Sequence, residues 1–377
     1  MKEIRMVDLA GQYEKIKQEI DSAIQGVINA TSFVKGPEVA LFEKELAAWN
    51  NSKHCISCAN GTDALQIALM ALDLKPGDEV ITADFTFIAT VEAIALLGLT
   101  PVLADVIPGT FNIDPESVKK AITPKTKAII PVHLFGQSAD MDSILEIAAK
   151  NNLFIIEDLA QAIGTEYTFK DSSVKKTGTI GHIGCTSFFP SKNLGCFGDG
   201  GAIFTNDDTL AAKLRSVVNH GMTVRYYHDH VGVNSRLDGI QAALLSVKLK
   251  YLNNYISDRQ RAAAFYDEKF KNIGGLIIPE RTSNSTHTFH QYTLRIAPEK
   301  RDAMIEHLKK HGVPAMVYYP VPLHLQKAYQ SARYKEGDFP VTEKLCKSVF
   351  SLPMHTELDE EQLTFITDTV ITAIRSL

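Results

Sequence analysis

Residues 154–161 read Phe154-Ile155-Ile156-Glu157-Asp158-Leu159-Ala160-Gln161. A short, unbroken apolar run leads directly into two acids. Such a run marks a strand buried on both faces of a parallel sheet. Open α/β sheets place their ligands beyond the carboxyl ends of these strands. Neighbouring strand residues point to opposite faces, so only one of the two carboxylates can face a given crevice. Two readings stand at this point: an acid aimed at a ligand, or a strand-end acid that caps the next turn.

On either side of this stretch, β-rich runs alternate with amphipathic segments from about residue 53 to 205. The candidate strands are Lys53-Cys58, Glu79-Thr82, Thr100-Asp105, Ala128-Val132, Phe154-Glu157, Cys185-Phe189 and Gly201-Thr205. Helical patterns begin near Thr62, Thr86, Pro115 and Ala139. This alternation implies crossover connections, and hence an α/β fold with a mostly parallel seven-stranded sheet and helices on both faces. Past residue 236 the pattern changes. Leu237 to Phe270 reads as one long helix. Beyond it, strands around Gln291-Ile296 and Pro314-Tyr318 alternate with helices around Lys300-His311 and Asp359-Ile374. The expected division is a large domain over 1–250, with a helical N-terminal segment, and a smaller C-terminal α/β domain over 251–377.

Composition narrows the function classes without choosing one. The 377 residues carry 39 Lys+Arg against 44 Asp+Glu, a net charge of −5, with 45% hydrophobic and 22% charged residues. These values describe a globular chain large enough to need no disulfide or metal staple. A mildly acidic chain lacks the clustered cations of a nucleic-acid binder. The start, MKEIRMVDLAGQYEK, has charges throughout and no apolar core, which argues against a secretory signal. The apolar stretch Ala93 to Ala104 is too short to span a membrane. Cys55, Cys58, Cys185, Cys196 and Cys346 are scattered, and Cys55-x-x-Cys58 has no second pair with which to hold zinc. They read as core cysteines of a cytoplasmic protein.

Two further stretches carry chemistry. Asn60-Gly61-Thr62-Asp63 follows the strand ending near Cys58 and combines a tight turn, a polar N-cap and a helix start. That junction is either an ordinary cap or an anion site. Cys185-Thr186-Ser187-Phe188-Phe189-Pro190-Ser191-Lys192-Asn193 precedes Gly195, Gly198, Gly200 and Gly201. Here a lysine sits in a glycine-rich bend among Phe189, Pro190, Gly195 and Phe197. Desolvation there lowers its pKa and frees the amine as nucleophile or base. An anion cradle, a lysine and a strand-end acid together suit pyridoxal 5′-phosphate. That cofactor needs its phosphate held, an amine to bond its aldehyde, and an acid beside its pyridine nitrogen. Phe85-Thr86-Phe87 offers a ring to stack on the pyridine.

These motifs resemble the DegT family of PLP-dependent nucleotide-sugar aminotransferases, which share the aspartate aminotransferase-like fold (PLP fold type I). The resemblance extends over nearly the whole chain. It includes Gly36-Pro37-Glu38-Val39, Gly198-Asp199-Gly200-Gly201, Gly232-Val233-Asn234-Ser235-Arg236 and Ser351-Leu352-Pro353. It implies that Lys192 bonds the cofactor, Asp158 partners its pyridine nitrogen and Gln161 lies beside its phenolic oxygen. Gly61, Thr62 and Ser187 would cradle the phosphate, and Phe87 would stack. Asn234 would reach the phosphate of a neighbouring subunit, implying a homodimer with shared active sites. The sugar dehydratase branch has histidine in place of Lys192, so the resemblance implies transamination, with L-glutamate as donor.

Within the family the chain looks closest to enzymes that aminate C3 of UDP-2-acetamido-2-deoxy-3-keto-glucuronate for surface polysaccharide (O-antigen or capsule, lipopolysaccharide). Arg236 suits a uronate or glutamate carboxylate, which a guanidinium clamps through two parallel hydrogen bonds; the alternative is an arginine that braces the domain connection. Tyr318 and Tyr319 are further substrate candidates. Where that group carries His-Tyr this chain has Tyr-Tyr. His324 and His355 are pocket candidates that read more readily as structural. The alternatives are amination of a dTDP-3-keto- or 4-keto-6-deoxysugar, and a non-catalytic PLP-fold regulator. A nicotinamide enzyme would need a strand, then G-x-G-x-x-G, then a helix. The glycine cluster at 195–201 instead runs into the strand-like Ala202-Ile203-Phe204.

Overall fold

The computed structural model of the chain describes residues 3–377. The seven apolar runs form one sheet: His54–Cys58 (β1), Glu79–Ala83 (β2), Thr100–Ala104 (β3), Thr126–Ile130 (β4), Phe154–Asp158 (β5), Ile183–Ser187 (β6) and Gly201–Thr205 (β7). Their spatial order is β1-β7-β6-β5-β4-β2-β3. All neighbouring pairs from β6 to β3 are parallel, and β7 alone runs against both its neighbours. Antiparallel neighbours need no crossover helix. The chain therefore returns from β6 to β7 through the bend at 188–200, and this bend stands at the carboxyl edge of the sheet. The ends of β1, β5 and β6 and the start of β7 all meet at that edge.

Helices Gly61–Ala71, Ala89–Leu96, Pro115–Ala121 and Met141–Asn151 follow β1 to β4. Three begin on a capping side chain: Asn60, Asp114 and Asp140 accept from backbone amides two or three residues on. Strand alternation divides the core between two faces. Ile56, Ile130, Ile156 and Ile203 pack with Leu65, Ile67 and Leu69 on one face. Ile81, Val102, Ile129 and Ile155 pack with Met141, Ile144 and Ile147 on the other. Helices Leu9–Ala30 and Pro37–Asn50 precede the sheet.

Beyond the sheet, Tyr292–Arg295 (β8) pairs antiparallel with Val349–Leu352 (β9). Tyr266, Phe270, Leu308, Ile366 and Val370 of three helices cluster with Leu294 and Phe350 of this ribbon. Two expectations are corrected here. Leu237 to Phe270 is not one helix but two, Gly239–Leu249 and Leu252–Phe270. Lys250 and Tyr251 donate to Val247 and Lys248, three residues back, which closes the first helix between them. Pro314 to Tyr318 forms no strand. Only Met316 bridges to Ser351, because Pro314 has no amide to donate and the chain then turns towards the main sheet edge.

Candidate active site

The two acids at the end of β5 separate as the pleat requires. Glu157 is fully buried: its Oε1 accepts from the amides of Ile180 and Gly181, both at 2.7 Å, and its Oε2 accepts from Gly178 at 2.8 Å. His133 Nε2 lies 2.9 Å from the same carboxylate. Since His133 Nδ1 accepts the Ala139 amide at 3.1 Å, the ring carries its proton on Nε2 and donates to Glu157. Glu157 is thus the turn-capping acid. Asp158, at 6% exposure, holds the crevice side. Its Oδ2 accepts from Thr90 Oγ1 at 2.9 Å and its Oδ1 from the Ala160 amide at 3.2 Å. Burial raises the Asp158 pKa, while the hydrogen bonds from Ala160 and Thr90 and the charge of Lys192 oppose the rise.

Lys192 lies in the bend after β6, where its amide donates to Phe189 O at 2.8 Å. Burial lowers its pKa to about 8, against which the nearby Asp158 charge acts. The amine and the carboxylate feel each other without forming an ion pair. Phe189 and Phe197, expected to bury this lysine, are themselves 53% and 44% exposed in the single chain. His290 comes from the C-terminal side instead, held neutral by burial and by the charges of Lys192 and Arg259.

At the neighbouring strand end, Asn60 Oδ1 takes the Asp63 amide at 2.8 Å and Asn60 O takes that of Ala64. The amides of Gly61 and Thr62, at the first turn, are left for an outside acceptor. A Cβ on Gly61 would stand 2.6 Å from Ser187 Cβ, and one on Gly201 2.5 Å from Asn60 O. Only glycine lets the helix start close on β6 and β7. Ser187 Oγ accepts the Phe189 amide at 3.2 Å, leaving its hydroxyl proton available to an anion.

An aromatic wall completes the edge. Gln161 Oε1 accepts the Phe135 amide and its Nε2 donates to Tyr319 Oη, both at 2.9 Å. Tyr319 lies 5.9 Å from Phe85 and 6.2 Å from Phe87, ring centre to ring centre. Phe87 is 54% exposed and Tyr318 half-buried. Two candidates are placed elsewhere. Asn234 is exposed on a segment whose Ser235 Oγ accepts the Ala59 amide at 3.0 Å. Arg236 lines a cleft of about 290 Å³ with Lys35, Glu43, Arg215 and Asn219, and none of Lys192, Asp158, Gln161 or Tyr319 reaches its wall. His324 is buried against Asp84, with Nδ1 to Oδ2 at 2.6 Å, and His355 accepts the Glu357 amide.

Thr90 and His133 escaped the sequence reading. Thr90 follows an aromatic run rather than an acid or glycine signal, and His133 sits beside a strand end with nothing to mark its partner. The five cysteines are free and buried, and no group of residues suited to a metal occurs among the described residues.

The residues present fit pyridoxal phosphate. Gly61, Thr62 and Ser187 form a cradle that a Cβ would fill, Lys192 offers a desolvated amine, and Asp158 is a buried acid with two donors. Residues 14–371 match the DegT/DnrJ/EryC1/StrS aminotransferase family. The chain is 48% identical to a UDP-2-acetamido-2-deoxy-3-oxo-D-glucuronate aminotransferase of Pseudomonas aeruginosa, over 96% of this chain and 98% of that one. It is also 48% identical to a pleiotropic regulatory protein of Geobacillus stearothermophilus, over 97% of both. Its fold overlays that of DesV from S. venezuelae with a TM-score of 0.96, at 37% identity and full coverage of both chains. The chain belongs to the DegT/DnrJ/EryC1/StrS aminotransferase family and is a PLP-dependent sugar aminotransferase.

Proposed function

We propose that this enzyme moves the amino group of L-glutamate onto C3 of UDP-2-acetamido-2-deoxy-3-keto-glucuronate, in the cytoplasm, for surface polysaccharide. The observation that carries the reaction is the desolvated Lys192 amine at the same sheet edge as Asp158. When bound, the cofactor supplies an electron sink for breaking the donor's Cα–H bond. Asp158 would hold a proton on the pyridine nitrogen, in its ionised form, which burial alone opposes. Gln161, fixed by the Phe135 amide and Tyr319, would offer the second proton of its Nε2 to the cofactor's phenolic oxygen. Lys192 Nζ would take the proton from the donor's Cα and later return one to the sugar. A positioned amine in this role contributes about 10²–10⁴-fold.

The uronate is supported by the Pseudomonas relative and by the cleft at Arg236. There Glu43 is already engaged by Arg215 at 2.9 Å and by the Ser57 amide and hydroxyl at 2.8 Å. Lys35 and Arg236 have no such partner among the described residues, and the charge of Arg236 adds to burial in lowering the Lys35 pKa. Two unneutralised cations suit a carboxylate. Because this cleft lies apart from Lys192, Arg236 and Asn234 serve the site of a second subunit in a homodimer. Exposed Phe33, Leu41, Phe189, Val224, Tyr226 and Tyr227 give such a dimer apolar surface to bury. The core shared by helix Leu252–Phe270 and the C-terminal elements supports a division into 1–250 and 251–377. No helix among the described residues is long and apolar enough to cross a membrane.

One absorbance experiment tests the reaction. The purified protein should be yellow, bleach with L-glutamate, and lose its colour in Lys192→Ala; a colourless protein that takes up no cofactor refutes it. The Geobacillus relative favours a second reading, a non-catalytic regulator, which predicts colour without turnover on any keto-sugar nucleotide. Arg236→Ala should damage turnover of the uronate more than that of a dTDP-linked neutral keto-sugar. Equal loss with both would remove Arg236 from uronate recognition.

A further inference from the structure

A second lysine is buried more deeply than Lys192. Lys248, in helix Gly239–Leu249, is 2% exposed, and burial lowers its pKa to about 8. No carboxylate among the described residues meets it. Its Nζ donates to Gly195 O at 2.5 Å and stands 5.6 Å from the centre of the Phe197 ring. Burying a lysine without an acid is costly, and a methionine would pack the same space at no such cost.

The carbonyl that Lys248 holds belongs to the Lys192 bend. Seven residues earlier on the same helix, Gln241 accepts the Phe197 amide at 2.9 Å and donates to Phe197 O at 3.2 Å. Residues seven apart lie two turns apart on one helical face. That face therefore grips Gly195 and Phe197 at three points. Cys196 between them donates to Phe188 O at 2.7 Å, and Asn193 Nδ2 donates to Thr288 O at 2.9 Å. The bend itself has no slack: a Cβ on Gly195 would lie 2.3 Å from Pro190 O. Lys192 hangs within this frame, three residues before the carbonyl that Lys248 fixes.

We propose that Lys248 is a positioning residue for Lys192: its charge-assisted hydrogen bond to Gly195 O fixes the bend and so sets where the Lys192 amine stands. A hydrogen bond from an ammonium is roughly twice as strong as a neutral one. This explains why an ionisable group is buried in a helix whose other buried residues are apolar or glycine. The inference rests on Lys192 being the amine that bonds the cofactor.

The experiment separates the two claims. Borohydride reduction of the holoenzyme followed by peptide mapping shows which lysine carries the cofactor; finding it on Lys248 overturns both. With the cofactor on Lys192, Lys248→Met and Lys248→Gln are compared with wild type. Three things are measured in the holoenzymes: hydrogen exchange of residues 189–200, the pH at which the visible band titrates, and kcat and KM for L-glutamate. Exchange in the bend should quicken in the order wild type, Gln, Met. The titration should shift in that order, and kcat should fall about 10–100-fold in Lys248→Met with KM nearly unchanged, as for a misplaced catalytic group. A wild-type titration and kcat in folded Lys248→Met overturns the proposal. Should that variant fail to fold, Lys248→Gln decides: unchanged exchange and titration in it overturn the proposal equally.

Discussion

Gly61→Ala probes the phosphate cradle with a single methyl group. The added Cβ would sit 2.6 Å from Ser187 Cβ and 3.3 Å from Ser187 Cα. Carbon atoms in contact prefer about 3.5–4.0 Å, so the helix start and the end of β6 must part by about 1 Å. Neither side yields easily. Ser187 pairs with Gly201 in the sheet, and Gly201 in turn lies against the carbonyl of Asn60. Overpacking of this kind costs about 1–3 kcal/mol in stability. The functional cost is separate. In the proposed cradle the amides of Gly61 and Thr62 would meet the phosphate, and losing one charged hydrogen bond costs about 1.5–3 kcal/mol, roughly ten- to 150-fold in affinity.

The assay is a titration of the apoprotein with pyridoxal phosphate and, separately, with pyridoxal, followed by the visible band. The two ligands share the aldehyde and the ring nitrogen and differ only in the phosphate. Gly61→Ala should weaken pyridoxal phosphate by that ten- to 150-fold factor and leave pyridoxal nearly as in wild type. Unchanged affinity for pyridoxal phosphate would remove Gly61 from the cradle. Equal loss for both ligands would show that the turn shapes the site as a whole and does not meet the phosphate.

Three further outcomes are expected. Thr90→Val removes the hydroxyl that Asp158 Oδ2 accepts; it should raise the Asp158 pKa further, cost about 1–3 kcal/mol, and move the acid limb of kcat/KM to higher pH. An unmoved limb in the folded variant would refute this link. Capture of pyridoxal phosphate by the apoprotein should accelerate as pH rises through about 8, where Lys192 loses its proton and becomes nucleophilic, and a pH-independent rate would contradict that. Lys248, lowered to about 8 from 10.5, binds fewer protons folded than unfolded between those values. Wild-type stability should therefore rise with pH across that window relative to Lys248→Met, by up to about 3 kcal/mol, measured by denaturant titration of the apoproteins; parallel curves would refute it.

What the sequence made legible was whatever local pattern determines. All seven sheet strands follow from apolar runs and their flanking turns, because a strand buried on both faces needs no partner to be recognised. The reversal at β7 was not legible, since a glycine-rich return and a crossover differ only in what pairs afterwards. Nor was the break at Lys250–Tyr251, where helical periodicity continues on both sides and no proline or glycine marks the interruption. Arg236 was recognisable as a cation in a family motif. Its company of Lys35 and Arg215 depends on helix Pro37–Asn50 and β1 closing over it, a contact between segments remote in sequence.

The pair Glu157-Asp158 shows where local pattern ends and topology begins. Alternation along β5 already groups Asp158 with Ile156 and Glu157 with Ile155. What alternation cannot say is which face carries the helix that starts at Gly61. Ile156 packs with Leu65, Ile67, Ala93 and Ile94, so helices Gly61–Ala71 and Ala89–Leu96 lie on the Asp158 face. The first contributes the free amides of its opening turn, and the second contributes Thr90, one residue inside its start. Both helices approach the same sheet edge with their N-terminal, partially positive ends. Asp158 is consequently the acid met by the anion cradle, by Thr90 and by the field of Lys192. On the other face Glu157 accepts from three backbone amides and from His133. One strand thus supplies two adjacent carboxylates with opposite duties, one closing the fold and one open to a ligand, and the direction of the crossovers decides which is which.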